Sequence, residues 1–439
     1  MMSVTLKKPV IIGLTCGALF VLFLLHQHYT AYPTRLKLPS SCIRPDNIEN
    51  LLDILNTSNS GVKRPKCYEA LRGLMDRIYR VEISGAEVRV PKSMVELVRD
   101  KWFGGDVDLY AKFEHPRVMI VSDRYTSQTS TVNPLRALRP KPSNGGEEKL
   151  AVEKIIADSK PGCNFCNDKQ TLEDTFGRVY WEKSHIFTAE NAFRFYDYTG
   201  MVIPADIHNF MDVDAQTFET MLTYSALTWF GNIHERHPEK THPVLVWDVL
   251  GKAGASQVHP HIQMFVGSGF YPGKFGEIDD AGKRYKADTG GNYLQDIVDL
   301  HIALGLGFKH KSAAVIVPIN PTKDREIWVV GKDNVFDWAW LYFISFRAYI
   351  EELEVYCVSQ GIALPTAEIA QTSIMSESGE LMIVKMGARG DCTSPYNDVS
   401  SLELYSVNSI STDYYETIAA VHKTYETYKT KNPEKYEGV

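Results

Sequence analysis

At 439 residues, 44% hydrophobic and 23% charged, the chain has room for two or three domains and enough apolar material for a large core. A formal net charge of −7 lacks the basic excess of a nucleic-acid-binding surface, so the expected partners include no nucleic acid, although local basic clusters remain free to hold phosphate. Seven cysteines, unevenly spread, do not make the dense framework of a small secreted scaffold, while one or two disulfides fit an oxidising compartment.

Lys7 and Lys8 stand directly before an apolar run over residues 10–25, slightly short of the roughly 20 residues that span an average bilayer. The next cations, Arg35 and Lys37, lie further behind it. This asymmetry predicts a cytosolic N-terminus and a single-pass type II membrane protein, the rest of the chain lying in the lumen of the endoplasmic reticulum or Golgi. A cleaved signal peptide is the competing reading, but residues 26–32 offer no clean A-x-A cleavage pattern. Residues 1–29 are therefore read as cytosolic tail and signal anchor. Asn56-Thr57-Ser58, a glycosylation sequon, falls in the part so placed in the lumen.

Residues 30–150 read as stem, small helical region and linker. Pro33, Pro39 and Pro45 break the start; Leu51, Leu52 and Leu55 have helical spacing, as do Leu71, Leu74, Met75 and Ile78. Residues 127–148, rich in Ser, Thr, Pro and Gly, read as a linker or exposed loop.

Beyond 150 the pattern changes. Short strands are predicted at 179–181, 185–188 and 200–204, an amphipathic helix at 215–233, and strands at 243–248 and 258–266. A similar series recurs downstream: strands at 313–318 and 326–330, a helix at 338–358, strands at 381–385 and 402–405, and a final amphipathic helix at 413–429. This order predicts an α+β fold of antiparallel sheets with packed helices, residues 151–290 forming a first half and 291–439 a second, diverged half.

The chemistry concentrates in Gly254-Ala-Ser-Gln-Val-His-Pro-His-Ile-Gln263. On a strand, His259, His261 and Gln263 would share one face, which is costly unless they are paired or functional. Gly254 lets backbone N–H groups approach a phosphate, and Ser256 adds a hydroxyl. A neutral imidazole beside such an anion site can attack phosphorus, and Gln263 can donate to a phosphoryl oxygen. Arg389 and Lys385, around residues 387–391, could reach a substrate phosphate from the second half; a solvated loop is the favoured reading. Cys163-Asn-Phe-Cys166 is by itself open between a redox pair, a disulfide and half a zinc site.

Taken together, this stretch resembles the active-site signature of the histidine-triad superfamily, in the branch of galactose-1-phosphate uridylyltransferases and diadenosine tetraphosphate phosphorylases, which carries glutamine where the hydrolases have a third histidine. The resemblance covers residues 160–270 well and 300–410 loosely. It implies His261 as the residue that becomes nucleotidylated, Gln263 as its helper, and Ser256 and Gly254 as phosphate contacts. It further implies a structural zinc held by Cys163, Cys166, His208 and His259, with Asn191 near the nucleoside. The family's asparagine eleven positions before the first histidine is here Asp248, a departure that leaves the phosphate contacts and the sugar open. The implied activity is nucleotidyl transfer through a covalent histidine intermediate, with a nucleotide-sugar donor and a phosphate-bearing acceptor. A phosphorylase or hydrolase of the same superfamily, or a catalytically silent membrane-anchored binding protein, are the rivals. Expected partners are the nucleotide substrate, the membrane and a second copy of the chain. Pairing among Cys42, Cys67, Cys357 and Cys392 stays open.

Overall fold

In the computed structural model, residues 44–56, 67–85, 87–138, 148–174, 176–181, 185–332, 334–365 and 382–437 are described. The apolar run over 10–25, Cys42 and most of the sequon lie outside them. Among the described residues no helix is long and apolar enough to cross a membrane.

Three strands precede the region of the H-P-H segment: β1 (Tyr79–Gly85), β2 (Arg117–Asp123) and β3 (Thr129–Val132). They pair antiparallel in sequence order, and β14 (Asn408–Ile410) joins β3 in parallel. The region read as stem, helices and linker thus carries most of a sheet. The serine- and threonine-rich β3 lies inside the expected linker. Thr129 and Thr131 are partly exposed, and Ser130, fully buried, finds a partner: its hydroxyl donates to the Pro321 carbonyl at 2.6 Å.

The main sheet has ten strands. They are β4 (Tyr180–Trp181), β5 (Ile186–Glu190), β6 (Thr199–Pro204), β7 (Lys240–Val249), β8 (Ile262–Ser268), β9 (Gly307–His310), β10 (Ala313–Ile316), β11 (Ile327–Gly331), β12 (Val358–Ala363) and β13 (Ile383–Ala388). Their spatial order, β4-β5-β6-β8-β7-β12-β13-β11-β10-β9, runs through the same series of connections from either end. The two series meet where β7 and β12 pair antiparallel, Val246 opposite Gly361. Outward from that pair, Gln263 lies beside Val246 and Lys385 beside Gly361. Next come Met201 beside Gln263 and Trp328 beside Lys385. Lys385 therefore takes the position of Gln263 in the second half, and Ile383, two residues earlier, that of His261. Only the first half carries the histidine and glutamine.

Helices cover one face of this sheet. Residues 215–236 form a continuous helix with a π-type stretch, Thr220–Ala226, at its centre. It packs beside the helix Val335–Glu351: the Phe218 ring meets Tyr342 at 4.7 Å and Trp247 of β7 at 5.9 Å, and Trp247 meets Phe346 at 4.7 Å. Because strand side chains alternate, Trp247 pointing into the helices turns Val246 and Asp248 to the opposite face. That face is where Gln263 also lies.

Two predicted elements of the second half differ. Residues 402–405 belong to a short helix, Ser401–Tyr405, whose first turn is capped by the Ser400 hydroxyl accepting from the Glu403 amide. Leu402 and Leu404 stay 42% and 62% exposed, so their alternation marks no buried strand face. The helix expected over 338–358 ends at Glu351, and β12 begins at Val358. A disulfide joins Cys357 to Cys392, Cα atoms 5.6 Å apart.

Candidate active site and metal centre

The strand expected over 258–266 begins only at Ile262, so His259 and His261 precede it on an irregular segment rather than lining a strand face. This lets the two rings turn apart. His259 donates its Nε2–H to the carbonyl of Pro204, the last residue of β6, at 2.9 Å. Its Nδ1 then faces Cys166 Sγ at 3.4 Å, Cys163 Sγ at 3.7 Å and His208 Nδ1 at 3.2 Å.

The four side chains come from three places. Cys163 and Cys166 bracket a tight turn after the helix Glu148–Ser159, His208 follows β6, and His259 precedes β8. Their ligand atoms all lie within 4.8 Å of one another. A tetrahedral ion with ordinary zinc–ligand lengths would hold two nitrogens about 3.4 Å apart and a sulfur and a nitrogen about 3.6 Å apart. The three separations from His259, and the 3.4 Å between Cys166 Sγ and His208 Nδ1, lie close to those values. The outer nitrogens are also engaged, His259 on Pro204 and His208 Nε2 at 3.0 Å from the Ser159 hydroxyl. Burial lowers both imidazoles, His259 to about 4, which keeps their inward nitrogens free to bind a cation. Burial and the neighbouring Cys163 push the Cys166 thiol up to about 11, the state a bound cation would reverse. These residues form a Cys2His2 group able to hold a metal ion.

His261 is almost fully buried. Its Nδ1–H donates to the His259 carbonyl at 2.9 Å, which fixes the tautomer and leaves Nε2 with its lone pair. Burial lowers its pKa, so the ring is neutral at physiological pH. The edge of Phe165, from the cysteine turn, rests on this ring with centroids 5.1 Å apart.

Gln263, on β8, is oriented from the other side. The Phe193 amide donates to Asn191 Oδ1 at 2.9 Å, so the Asn191 Nδ2 group donates to Gln263 Oε1 at 3.2 Å. The Gln263 Nε2 hydrogens are thereby turned to the free end of the side chain. A donor amide and a lone-pair nitrogen two residues apart suit an anionic phosphorus centre.

Before the H-P-H segment, the chain leaves β7 through Leu250 at φ 68° and turns through Gly251–Ala253 to Gly254 at φ 119°. A Cβ at Gly254 would lie 3.3 Å from Asp248 Oδ2 and would need a backbone conformation that L side chains rarely adopt. Gly254 and Ser256 are exposed on this turn. Burial raises the Asp248 carboxyl, while the Ser359 hydroxyl and the Arg389 guanidinium hold it down. Asp248 is thus not an isolated negative charge beneath a phosphate. Sequence reasoning had no means of finding Ser359, which reaches Asp248 only through the β7–β12 register. Arg389 is engaged by Asp398, and Lys385 by Glu326 and the face of Trp328. His185, His234 and His237 make local contacts with Asp206, the Lys240 carbonyl and Tyr198.

No family model matches the sequence, and no curated protein matches it. Among solved structures, an ADP-glucose phosphorylase from Arabidopsis thaliana with bound ADP-glucose aligns with 70% of this chain and 99% of its own, at 15% identity and a TM-score of 0.51. A galt-like protein from Arabidopsis thaliana aligns over 60% of this chain and 92% of its own, at 15% identity and a TM-score of 0.46. A uridylyltransferase aligns over 70% and 98%, at 14% identity and a TM-score of 0.45. The chain shares the α+β fold of the first of these.

Proposed function

We propose that the protein is a nucleotidyltransferase working through a nucleotidylated His261. The observation that carries this reading is the bond from His261 Nδ1 to the His259 carbonyl, which leaves a neutral, buried Nε2 as nucleophile. Nε2 attacks the α-phosphorus of a nucleotide sugar, an N–P bond forms, and the P–O bond to the sugar phosphate breaks with the electron pair leaving on that phosphate. An oxygen of the acceptor phosphate then attacks the same phosphorus and the N–P bond breaks. Two displacements on a positioned nucleophile replace one encounter between two anions. Gln263, held by Asn191, donates to a non-bridging oxygen as charge moves there, and the Gly254–Ser256 turn receives the neighbouring phosphate.

Zinc is the metal the donor set favours, held by Cys163, Cys166, His208 and His259; it would supply shape alone, because protein groups fill all four positions. An address in the secretory pathway, behind an anchor at residues 10–25, agrees with the charge asymmetry there and with the Cys357–Cys392 disulfide.

A phosphorylase is the second reading, supported by the fold shared with an enzyme that binds ADP-glucose. It uses the same first step and differs only in taking inorganic phosphate as acceptor. Incubation with UDP-glucose, ADP-glucose and dinucleotides, followed by mass spectrometry, tests both. An acid-labile adduct on His261 discharged by a sugar phosphate supports the transferase, and discharge by inorganic phosphate alone the phosphorylase. Discharge by water alone points to a hydrolase, and no adduct from any donor to a silent binding protein.

A further inference from the structure

The turn that carries Gly254 and Ser256 begins with a residue in an unfavourable conformation. Leu250, fully buried, has φ 68° and ψ 164°, a region essentially reserved for glycine. Such a conformation persists only where the surroundings over-determine it. The Leu250 carbonyl accepts from the Ala253 and Ala255 amides of its own turn, at 3.1 and 3.2 Å, and the turn itself is held from the second half.

Arg389, one residue past β13, donates from all three guanidinium nitrogens. Nε and Nη2 donate to Asp398 at 2.7 and 3.0 Å, and Nη1 donates to the Ala253 carbonyl and to Ser359 Oγ, both at 2.8 Å. Ser359 Oγ also lies 3.0 Å from that carbonyl. From the turn, Lys252 donates back to the carbonyls of Ser394, at 3.2 Å, and Tyr396. The loop that supplies these groups is itself anchored. The Arg389 amide donates to the Cys357 carbonyl at 2.9 Å, the Cys357–Cys392 disulfide closes the loop, and Lys323 holds the Asp398 carbonyl at 2.8 Å.

We propose that Arg389 is a positioning residue: it locks the Gly251–Gly254 turn, and so the phosphate-receiving backbone in front of His261, from the half of the molecule that has no catalytic histidine. Arg389 donates to Asp398, Ser359 and the Ala253 carbonyl and acts on the chemistry only through the turn. Its planar fork satisfies a carboxylate, a hydroxyl and a main-chain carbonyl at once, which a lysine ammonium cannot reproduce. The disulfide and Asp398 matter because they fix where the fork is.

This proposal rests on the nucleotidyl-transfer reading for its consequence, but the brace itself is read separately. Two measurements are made on the full chain with Arg389→Ala, Arg389→Lys and Cys392→Ser. Hydrogen exchange of the amides at 251–257 reports the turn, and single-turnover formation of the His261 adduct from ADP-glucose or UDP-glucose reports the chemistry. Both arginine variants are expected to exchange these amides faster while the rest of the main sheet and the zinc content stay as in the parent. Adduct formation at saturating donor is expected to slow by about 10- to 100-fold, the usual result of losing a charge-assisted bond that fixes a site. Millimolar guanidinium is expected to restore part of the rate to Arg389→Ala but not to Arg389→Lys, and Cys392→Ser to move both readouts the same way by less. Unchanged exchange at 251–257, or a wild-type adduct rate in both arginine variants, overturns the proposal. So does a loss spread over the whole sheet with loss of zinc. A parent protein that forms no adduct overturns the nucleotidyl-transfer reading instead, and the exchange data still judge the brace.

Discussion

His261 donates its Nδ1–H to the carbonyl of His259, two residues earlier, at 2.9 Å. The same residue that turns its own ring toward the cysteines thus sets, through its main chain, which nitrogen of the next histidine is free. Nucleophilicity requires the neutral ring, and burial lowers the His261 pKa below the ordinary histidine value of about 6.5. The sign follows: protonation, and loss of rate, sets in only as pH falls through the lowered folded value. The acid limb of adduct formation is expected to centre below the ordinary histidine value, and His261→Ala is expected to give no adduct at any pH. A pH–rate profile with an acid limb centred above 6.5 would contradict the assignment.

Gln263 depends on Asn191 for its orientation. Asn191→Ala removes the donor to Gln263 Oε1 and frees the amide to rotate, so about a tenfold slower adduct formation is expected, the cost of one ordinary hydrogen bond. Gln263→Leu removes the donor to the phosphoryl oxygen itself, and a loss of about 10²- to 10³-fold is expected, as for other groups that stabilise developing charge. The ordering is the check. If Asn191→Ala is as damaging as Gln263→Leu, Asn191 acts on the substrate directly.

What was legible in the sequence follows contact distance along the chain. His259, His261, Gln263 and the glycine turn sit within ten residues, and their spacing alone carried the chemistry. Cys163, Cys166 and His208 are remote, and only the family resemblance joined them to His259. The strands with strong apolar runs, such as 243–248 and 313–318, were visible for the same local reason. Strand β3 was not, because it is built of serine and threonine, and its one buried polar residue, Ser130, is satisfied by the distant Pro321 carbonyl. Ser359 was hidden by the antiparallel register of β7 and β12, which no local pattern encodes. Arg389 was visible as a cation near the site, but its partners, Asp398 and the Ala253 carbonyl, were not.

The Cys2His2 group makes a prediction independent of activity. Cys163→Ser and His208→Ala are each expected to lower the zinc content per chain and to lower the melting midpoint by on the order of 5 °C or more, because a closed site contributes folding free energy. Ser159→Ala, which loses the contact to His208 Nε2, is expected to weaken zinc about tenfold with the ligands intact. A disulfide between the two cysteines would instead leave His208→Ala without effect on metal. Unchanged zinc in Cys163→Ser by elemental analysis would sink the zinc assignment.

Another buried histidine, His301, is expected to contribute to acid sensitivity. His301 is fully buried between the helix Tyr293–Ala303 and the segment before β11; its Nδ1–H donates to the Ile297 carbonyl at 2.7 Å and its Nε2 accepts the Ile319 amide at 3.0 Å. Protonation would set a new N–H against that amide, and burial holds the pKa down to about 4. The unfolded chain takes up this proton near pH 6.5 while the folded chain does not, so stability is lost as pH falls from about 6.5 toward 4. The loss from His301 is on the order of 3 kcal/mol. His310, buried against the Tyr425 hydroxyl and also held to about 4, adds in the same direction. Denaturant midpoints measured from pH 7.5 to 4.5 are expected to fall across that window in the parent. In His301→Gln the midpoint at pH 7.5 is expected to be lower and the slope shallower. Parallel curves for the two proteins would show that some other group carries the acid sensitivity.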